Sequence, residues 1–259
     1  MPDLIHPSAI IDPSAKLADD VQVGPWTLIG PDVEIGPGSI VESHVVVKGP
    51  TYIGANNHIF QFATIGDSTP DMKYRGEPTR CVIGDNNVFR EGVTIHRGTV
   101  QDRAETTIGN HNLIMAYAHI GHDSVLGDHV IMVNNSGLAG HVYVGDWVIL
   151  SGYSLVHQFC KVGAHAFAGM ATGIGKDVPA FVTVSGMPAE AKTINTEGLR
   201  RRGFSDHAIS QLRRAFKIIY RQGLTLDIAL QRLETMLRDT PEIQMLIDSI
   251  RSSERGIVR

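Results

Sequence analysis

The 259-residue chain is 42% hydrophobic and 19% charged, with a net charge of −4. That is the profile of a globular protein with one large domain or two smaller ones. No apolar run is long enough to span a bilayer, and residues 1–20 lack the basic start and apolar core of a signal peptide, so a cytoplasmic protein is expected.

The first feature along the chain is a repeat. From Ile11, aliphatic residues recur every six positions at Leu17, Val23, Ile29, Ile35, Val41, Val47, Ile53, Ile59 and Ile65. From Ile108 the same rhythm runs through Ile114, Ile120, Leu126, Met132, Leu138, Val144, Leu150, Val156, Val162 and Ala168 to Ile174. All 22 positions are apolar in a chain that is 42% hydrophobic, so chance is excluded. Period six fits neither a helix nor a simple strand alternation. It fits a hexapeptide β-helix, in which three hexads close an 18-residue triangular coil and the aliphatic side chains stack inside. Glycines such as Gly24, Gly30, Gly36, Gly54 and Gly66, and asparagines at 56–57, 86–87, 110 and 134–135, suit corners with left-handed backbone angles.

Two breaks interrupt the rhythm. Residues 67–82 are polar and proline-containing, and between Ile95 and Ile108 the step is 13 residues. Loops near 67–82 and 97–107 are therefore expected to leave the coil and form one binding face. Past Ile174 the pattern fades, giving a β-helix over residues 1–190 and an α-helical domain over 191–259. In the latter, Ser205 caps a helix carrying Ile209, Leu212, Phe216, Ile219 and Tyr220. Thr225 starts a second helix and Pro241 opens a third. Charge is uneven: residues 196–259 hold 12 Lys/Arg against 8 Asp/Glu, and the remainder holds 11 against 19. The basic C-terminal part suits an acidic ligand or partner; its excess is too small to indicate nucleic acid.

Chemistry is sought among the histidines. Ile120, Leu138 and Val156 are 18 residues apart, so they lie on one side of three successive coils spaced about 4.8 Å. His119 and His122 flank Ile120, His141 follows Leu138, and His157 follows Val156. Gly140 should sit one coil above His122. Two chemistries can use this cluster. His122 can serve as a general base oriented by Asp123, with the unshielded N–H of Gly140 stabilising an oxyanion. Alternatively, three histidines can bind zinc. Cys81 and Cys160 are too few for a disulfide framework and read as buried thiols.

The segment 119–141 resembles the acyl-[acyl-carrier-protein]–UDP-N-acetylglucosamine O-acyltransferase family of lipid A biosynthesis. The similarity extends to Lys73–Thr79, to Thr94–Thr99, to Val156-His157-Gln158-Phe159 and to Glu197–Phe204. It implies a left-handed parallel β-helix, a homotrimer with sites between subunits, and no metal or other cofactor. It also implies that His122, Asp123 and Gly140 are catalytic. Asp71, Lys73, His96, His119, His141, His157 and Gln158 would bind sugar, phosphate or pantetheine. Asn195, Glu197, Arg201 and Arg202 would reach the uridine diphosphate, and an acidic acyl carrier protein would bring the 3-hydroxyacyl chain. In this family a groove measures the chain, and Met170 in place of a glycine implies a short donor of about ten carbons. An N-acyltransferase of the same pathway and a zinc hydratase of γ-carbonic-anhydrase type are the alternative readings.

Overall fold

The computed structural model describes residues 4–259; residues 1–3 of the expected β-helix lie outside them. The hexads form very short strands, and the three faces of the prism are sheets of nine, eight and ten strands in which every third strand is a neighbour until the C-terminal end of the ten-stranded sheet. The fold is a left-handed parallel β-helix followed by helices. The stacking register is the one the period dictates: Ile120 pairs with Leu138, Leu138 with Val156 and Val156 with Ile174. These side chains are at most 3% exposed and fill the interior from coil to coil. Inside one corner, Asn57, Asn87 and Asn112 form a ladder: the N–H of Asn87 donates to Asn57 Oδ1, and that of Asn112 to Asn87 Oδ1. Each buried carboxamide thus satisfies backbone groups that the turning chain leaves unpaired.

The corners match the sequence-based expectation in part. Asn56, Asn86, Asn135 and Gly66 take the left-handed angles, but Gly24, Gly30, Gly36 and Gly54 do not, and Trp26, His44, Phe62, Tyr117 and Trp147 all have φ between 58° and 65°. Such angles cost roughly 1–2 kcal/mol for a residue with a Cβ. Stacking offsets that cost. Corner rings lie over one another from coil to coil, as His129 does on Trp147 at 3.9 Å and His141 on Phe159 at 4.3 Å. Gly36, by contrast, is needed for close approach, because a Cβ there would lie 2.7 Å from the carbonyl carbon of Gly54 in the next coil.

Both breaks in the rhythm are loops that leave the coil between adjacent faces. The first joins strand Thr64–Asp67 to strand Arg80–Ile83, and the second joins Thr94–His96 to Glu105–Ile108. The 18 residues from Ile65 to Ile83 mimic a full turn in the sequence. In fact Ile65 pairs with Ile95, so that segment is one lengthened hexad step.

The parallel coil continues past Ile174 to strand Val182–Ser185, against which Glu190–Ile194 folds back antiparallel. A short helix α1 (Thr196–Arg201) follows; in the sequence it reads only as a basic run. Helix α2 (Asp206–Tyr220) is capped by Ser205, whose hydroxyl accepts from the Ala208 N–H, and buries Ile209, Leu212, Phe216 and Ile219. Helix α3 (Leu226–Glu234) is capped by Thr225, and helix α4 (Ile243–Arg251) begins two residues after Pro241. The end of the chain is tied to the β-helix: Ser249 Oγ accepts from the Ala180 N–H, and Ser253 donates to Asp177. Among the described residues no helix is long and apolar enough to cross a membrane.

Candidate active site

Asp123 occupies a corner with φ 58°, and its carboxylate is fully buried. His122 Nδ1 lies 2.8 Å from Asp123 Oδ2. The second loop closes over the same carboxylate. The Thr99 N–H donates to both oxygens at 2.9 and 3.0 Å, and the Thr99 hydroxyl donates to Oδ2 at 2.6 Å. Burial alone would raise the Asp123 carboxyl, but the hydrogen bonds from His122 and Thr99 outweigh it and hold it below the ordinary carboxylate range. An ionised Asp123 fixes the proton of His122 on Nδ1 and leaves Nε2 as the basic nitrogen.

Gly140 sits directly over that ring. A Cβ at Gly140 would lie 2.5 Å from both Cε1 and Nε2 of His122, so any side chain there would displace the imidazole. Its N–H is also free: among the described residues it donates to no acceptor. Pro25, Pro31 and Pro37 occupy the equivalent hexad position, two residues after the inward aliphatic, so the coil can close without an N–H there.

His141 is a second carboxylate-held histidine. Its Nδ1 lies 2.7 Å from Asp102 Oδ2, and its ring meets that of His122 edge-on at 4.8 Å. His119 Nδ1 lies 2.8 Å from the Thr94 hydroxyl, and His96 meets His119 at 5.0 Å. Burial pushes His96 down to about 4, with His119 adding to the effect, and burial also lowers His119. These rings are therefore neutral at pH 7. Asp71, Lys73, His122 and Gln158 are shared by two hollows of 380 and 460 Å³, one also lined by His96, His119 and Gly140 and the other by Asp102 and His141. The first loop thus brings Asp71 and Lys73 to the histidines. His157 is exposed at the edge, with Nδ1 3.1 Å from the Gln158 carbonyl.

The C-terminal residues lie elsewhere in the same chain. Asn195, Glu197, Arg201 and Arg202 line a separate groove along the corner formed by His111, His129 and Trp147. Arg202 sits 5.1 Å over the Trp147 ring and donates to His165 Nδ1 at 3.1 Å. Asn195 caps α1 and donates to the His165 carbonyl at 3.0 Å. Glu197 pairs with Arg200 and Arg201. Met170 is 77% exposed beside a corner.

For a metal, His122, Asp123 and His141 offer ligand atoms within 4.8 Å of one another. Each approaching atom is already engaged: both Nδ1 atoms face carboxylates, and Asp123 Oδ2 accepts from Thr99. The donor set is two histidines and an aspartate arranged as hydrogen-bonded pairs. The two thiols stand apart from this chemistry: Cys81 and Cys160 are buried, and burial pushes them up to about 12 and about 11.

Residues 177–258 match the model of the second domain of UDP-N-acetylglucosamine O-acyltransferase, and residues 14–49 and 105–140 match bacterial transferase hexapeptide repeats. The chain is 68% identical over 256 residues to the acyl-[acyl-carrier-protein]–UDP-N-acetylglucosamine O-acyltransferase of Stutzerimonas stutzeri, covering 99% of each chain. It belongs to that O-acyltransferase family. A Pseudomonas putida member is 69% identical over 98% of this chain and 99% of its own. The solved structure of the family member from Moraxella catarrhalis superimposes with a TM-score of 0.97 at 48% identity, covering 99% of this chain and 100% of that one. The protein is thus an acyltransferase of lipid A biosynthesis, and both His122 and Gly140 fall in its matched hexapeptide repeats.

The contacts of Thr99, Asp102 and Phe159 cannot be read from the sequence. Strand Thr94–His96 pairs with His119–Ile120, so the loop after His96 leaves the coil on the histidine side.

The buried neutral histidines imply a pH dependence of stability. His96 and His165, the latter also pushed down to about 4 by burial and by Arg202, stay neutral in the fold down to that pH. In the unfolded chain they protonate near 6.5. Between these values the unfolded state binds more protons, so stability falls as pH drops from 6.5 towards 4. Asp123, depressed below 3.8, loses its contribution only under that window. Thermal unfolding should show Tm level near pH 7 and lower by several degrees at pH 4.5; a Tm that holds or rises over this range contradicts the assignment.

Proposed function

We propose that the chain transfers an (R)-3-hydroxyacyl group from the pantetheine thioester of acyl carrier protein to the 3-hydroxyl of UDP-N-acetylglucosamine, in the cytoplasm. The observation that carries this reading is the His122–Asp123 pair, whose Nε2 is left free beside Gly140. His122 Nε2 takes the proton of the sugar hydroxyl as the oxygen attacks the thioester carbonyl. Asp123 stabilises the imidazolium, and the Gly140 N–H donates to the developing oxyanion. Collapse of the tetrahedral intermediate expels the pantetheine sulfur, which takes the proton back from His122. No acyl-enzyme forms, since neither thiol belongs to the cluster. Lys73, Asp71, His96, His119, His141, His157 and Gln158 surround the reacting groups.

The nucleotide end is supplied by another subunit. On one chain the groove of Asn195, Glu197, Arg201 and Arg202 lies at a different corner from His122, and a homotrimer brings one against the other. Arginine suits the diphosphate because its planar fork pairs two oxygens at once. The basic C-terminal part likewise suits the acidic carrier protein.

Met170 closes the acyl groove, so the donor chain is about ten carbons. In competition, a ten-carbon 3-hydroxyacyl carrier protein should be used about tenfold or more faster than a fourteen-carbon one, and Met170→Gly should remove the preference. Preference of the wild type for the longer chain sinks the assignment of Met170. The acceptor is tested in the same assay: thiol release should depend on UDP-N-acetylglucosamine, and a faster reaction with the 3-amino sugar would favour the N-acyltransferase alternative.

A further inference from the structure

The second loop, residues 97–104, is not needed to close the β-helix. Apart from the first loop the three faces are joined by plain hexads here, and after Ile120 three uninterrupted coils lead to Ile174. Yet this loop is pinned at several points. The Arg97 N–H donates to the Asp67 carbonyl, the Gly98 N–H to the Arg80 carbonyl and the Arg80 N–H to the Ala104 carbonyl. Gly98 is required by the pinning, because a Cβ there would lie 2.0 Å from the Glu105 nitrogen. Asp67 and Arg80 are also the two ends of the first loop, so the loops brace one another. Within the second loop, the Ala104 N–H donates to the Thr99 carbonyl at 2.9 Å and closes a turn.

What this turn presents is specific. Thr99, 1% exposed, gives two donors to the Asp123 carboxylate. Three residues on, Asp102 places Oδ2 2.7 Å from His141 Nδ1. A coil cannot provide these partners from within. Its residues have neighbours fixed above and below by the strand spacing, and the outward flank of a corner stays open unless a loop covers it. The Thr106 hydroxyl, in the strand that follows the loop, accepts the Asp123 N–H at 2.8 Å and completes the enclosure.

We propose that the 97–104 loop is a positioning device for both histidines, with Thr99 holding the carboxylate that orients His122 and Asp102 holding the ring of His141. This extends the reading of His122 as the base and rests on it. The two residues then act on different steps. Thr99 acts through Asp123, whose Oδ2 lies 2.8 Å from His122 Nδ1 against 3.8 Å from His141 Nδ1, so its loss chiefly slows the chemical step. Asp102 reaches His141, which binds substrate, so its loss weakens binding. Neither touches the reacting atoms.

The test is steady-state kinetics on the full-length protein with UDP-N-acetylglucosamine and a 3-hydroxyacyl carrier protein. Thr99→Val keeps the shape and the backbone N–H and loses the hydroxyl; it should lower kcat about tenfold or more, as loss of an outer-shell orienting group does, with KM changed less than about twofold. Thr99→Ser should restore most of the loss. Asp102→Ala should raise a substrate KM about fivefold or more with the smaller change in kcat, and Asp102→Asn, which keeps an acceptor for the ring N–H, should recover part of it. Wild-type kcat in Thr99→Val, or a loss in both loop variants that tracks a fall in Tm and is not rescued by serine or asparagine, overturns the proposal. His122→Ala run alongside keeps the readings apart. An active His122→Ala removes the base assignment and this proposal with it, whereas an inactive His122→Ala beside a normal Thr99→Val removes the loop proposal alone.

Discussion

Alanine in place of His122 is expected to lower kcat by roughly 10²–10⁴-fold, the usual worth of a positioned general base. In free energy that is about 3–5 kcal/mol of lost transition-state stabilisation. A sugar hydroxyl attacks a thioester poorly while it keeps its proton, and in the proposed mechanism His122 Nε2 takes it. The ring is 15% exposed, its Nδ1 is committed to Asp123, and Asp123 is itself fixed by Thr99. The fold should be indifferent to the change, because the inward residue of this hexad is Ile120 and the corner conformation belongs to Asp123. Rate assays with circular dichroism of the variant check both parts. A kcat within tenfold of wild type would move the base elsewhere in the cluster, with His119 the next candidate because its Nδ1 is also engaged, by Thr94.

Gly140→Ala should cost about 10²-fold or more in kcat, the effect expected when a reacting group is displaced by about an ångström. The added carbon would lie 2.5 Å from the working edge of the His122 ring. The ring must then swing away, which breaks its 2.8 Å bond to Asp123. Gly36→Ala is the informative control. There the carbon would meet the backbone of Gly54 at 2.7 Å, which cannot move without separating two coils. That variant should lose thermal stability while each folded molecule keeps its activity; Gly140→Ala should do the reverse. If Gly140→Ala unfolds the protein as readily as Gly36→Ala, the first glycine is serving the coil rather than the histidine.

The contrast between these glycines shows how far the sequence can be read. The inward aliphatics are legible because one physical requirement, stacking in a dry triangular interior, acts on every sixth residue. From Ile120, Leu138 and Val156 the register also places His122 beneath Gly140 and His141 near both. The corners are less legible. A left-handed angle is normally a glycine or asparagine signal, but a repeating coil imposes it on whatever residue falls there and compensates through stacking, as His129 and Trp147 show. Loops are the least legible. Thr99 and Asp102 find Asp123 and His141 across 24 and 39 residues, and no period links them. The first break even imitates a full coil, and only the pairing of Ile65 with Ile95 exposes it as an excursion. The separation of Arg202 from His122 within one chain is likewise invisible in sequence, since it depends on which corner each residue occupies.

The most direct test is identification of the product. The purified protein would be incubated with UDP-N-acetylglucosamine and 3-hydroxydecanoyl carrier protein, and the position of any new acyl group read by NMR and mass spectrometry. An ester on the 3-oxygen of the sugar, formed in step with release of the carrier thiol, is the predicted result. Thiol release with no acylated sugar, or an acyl group on any other position, would contradict it.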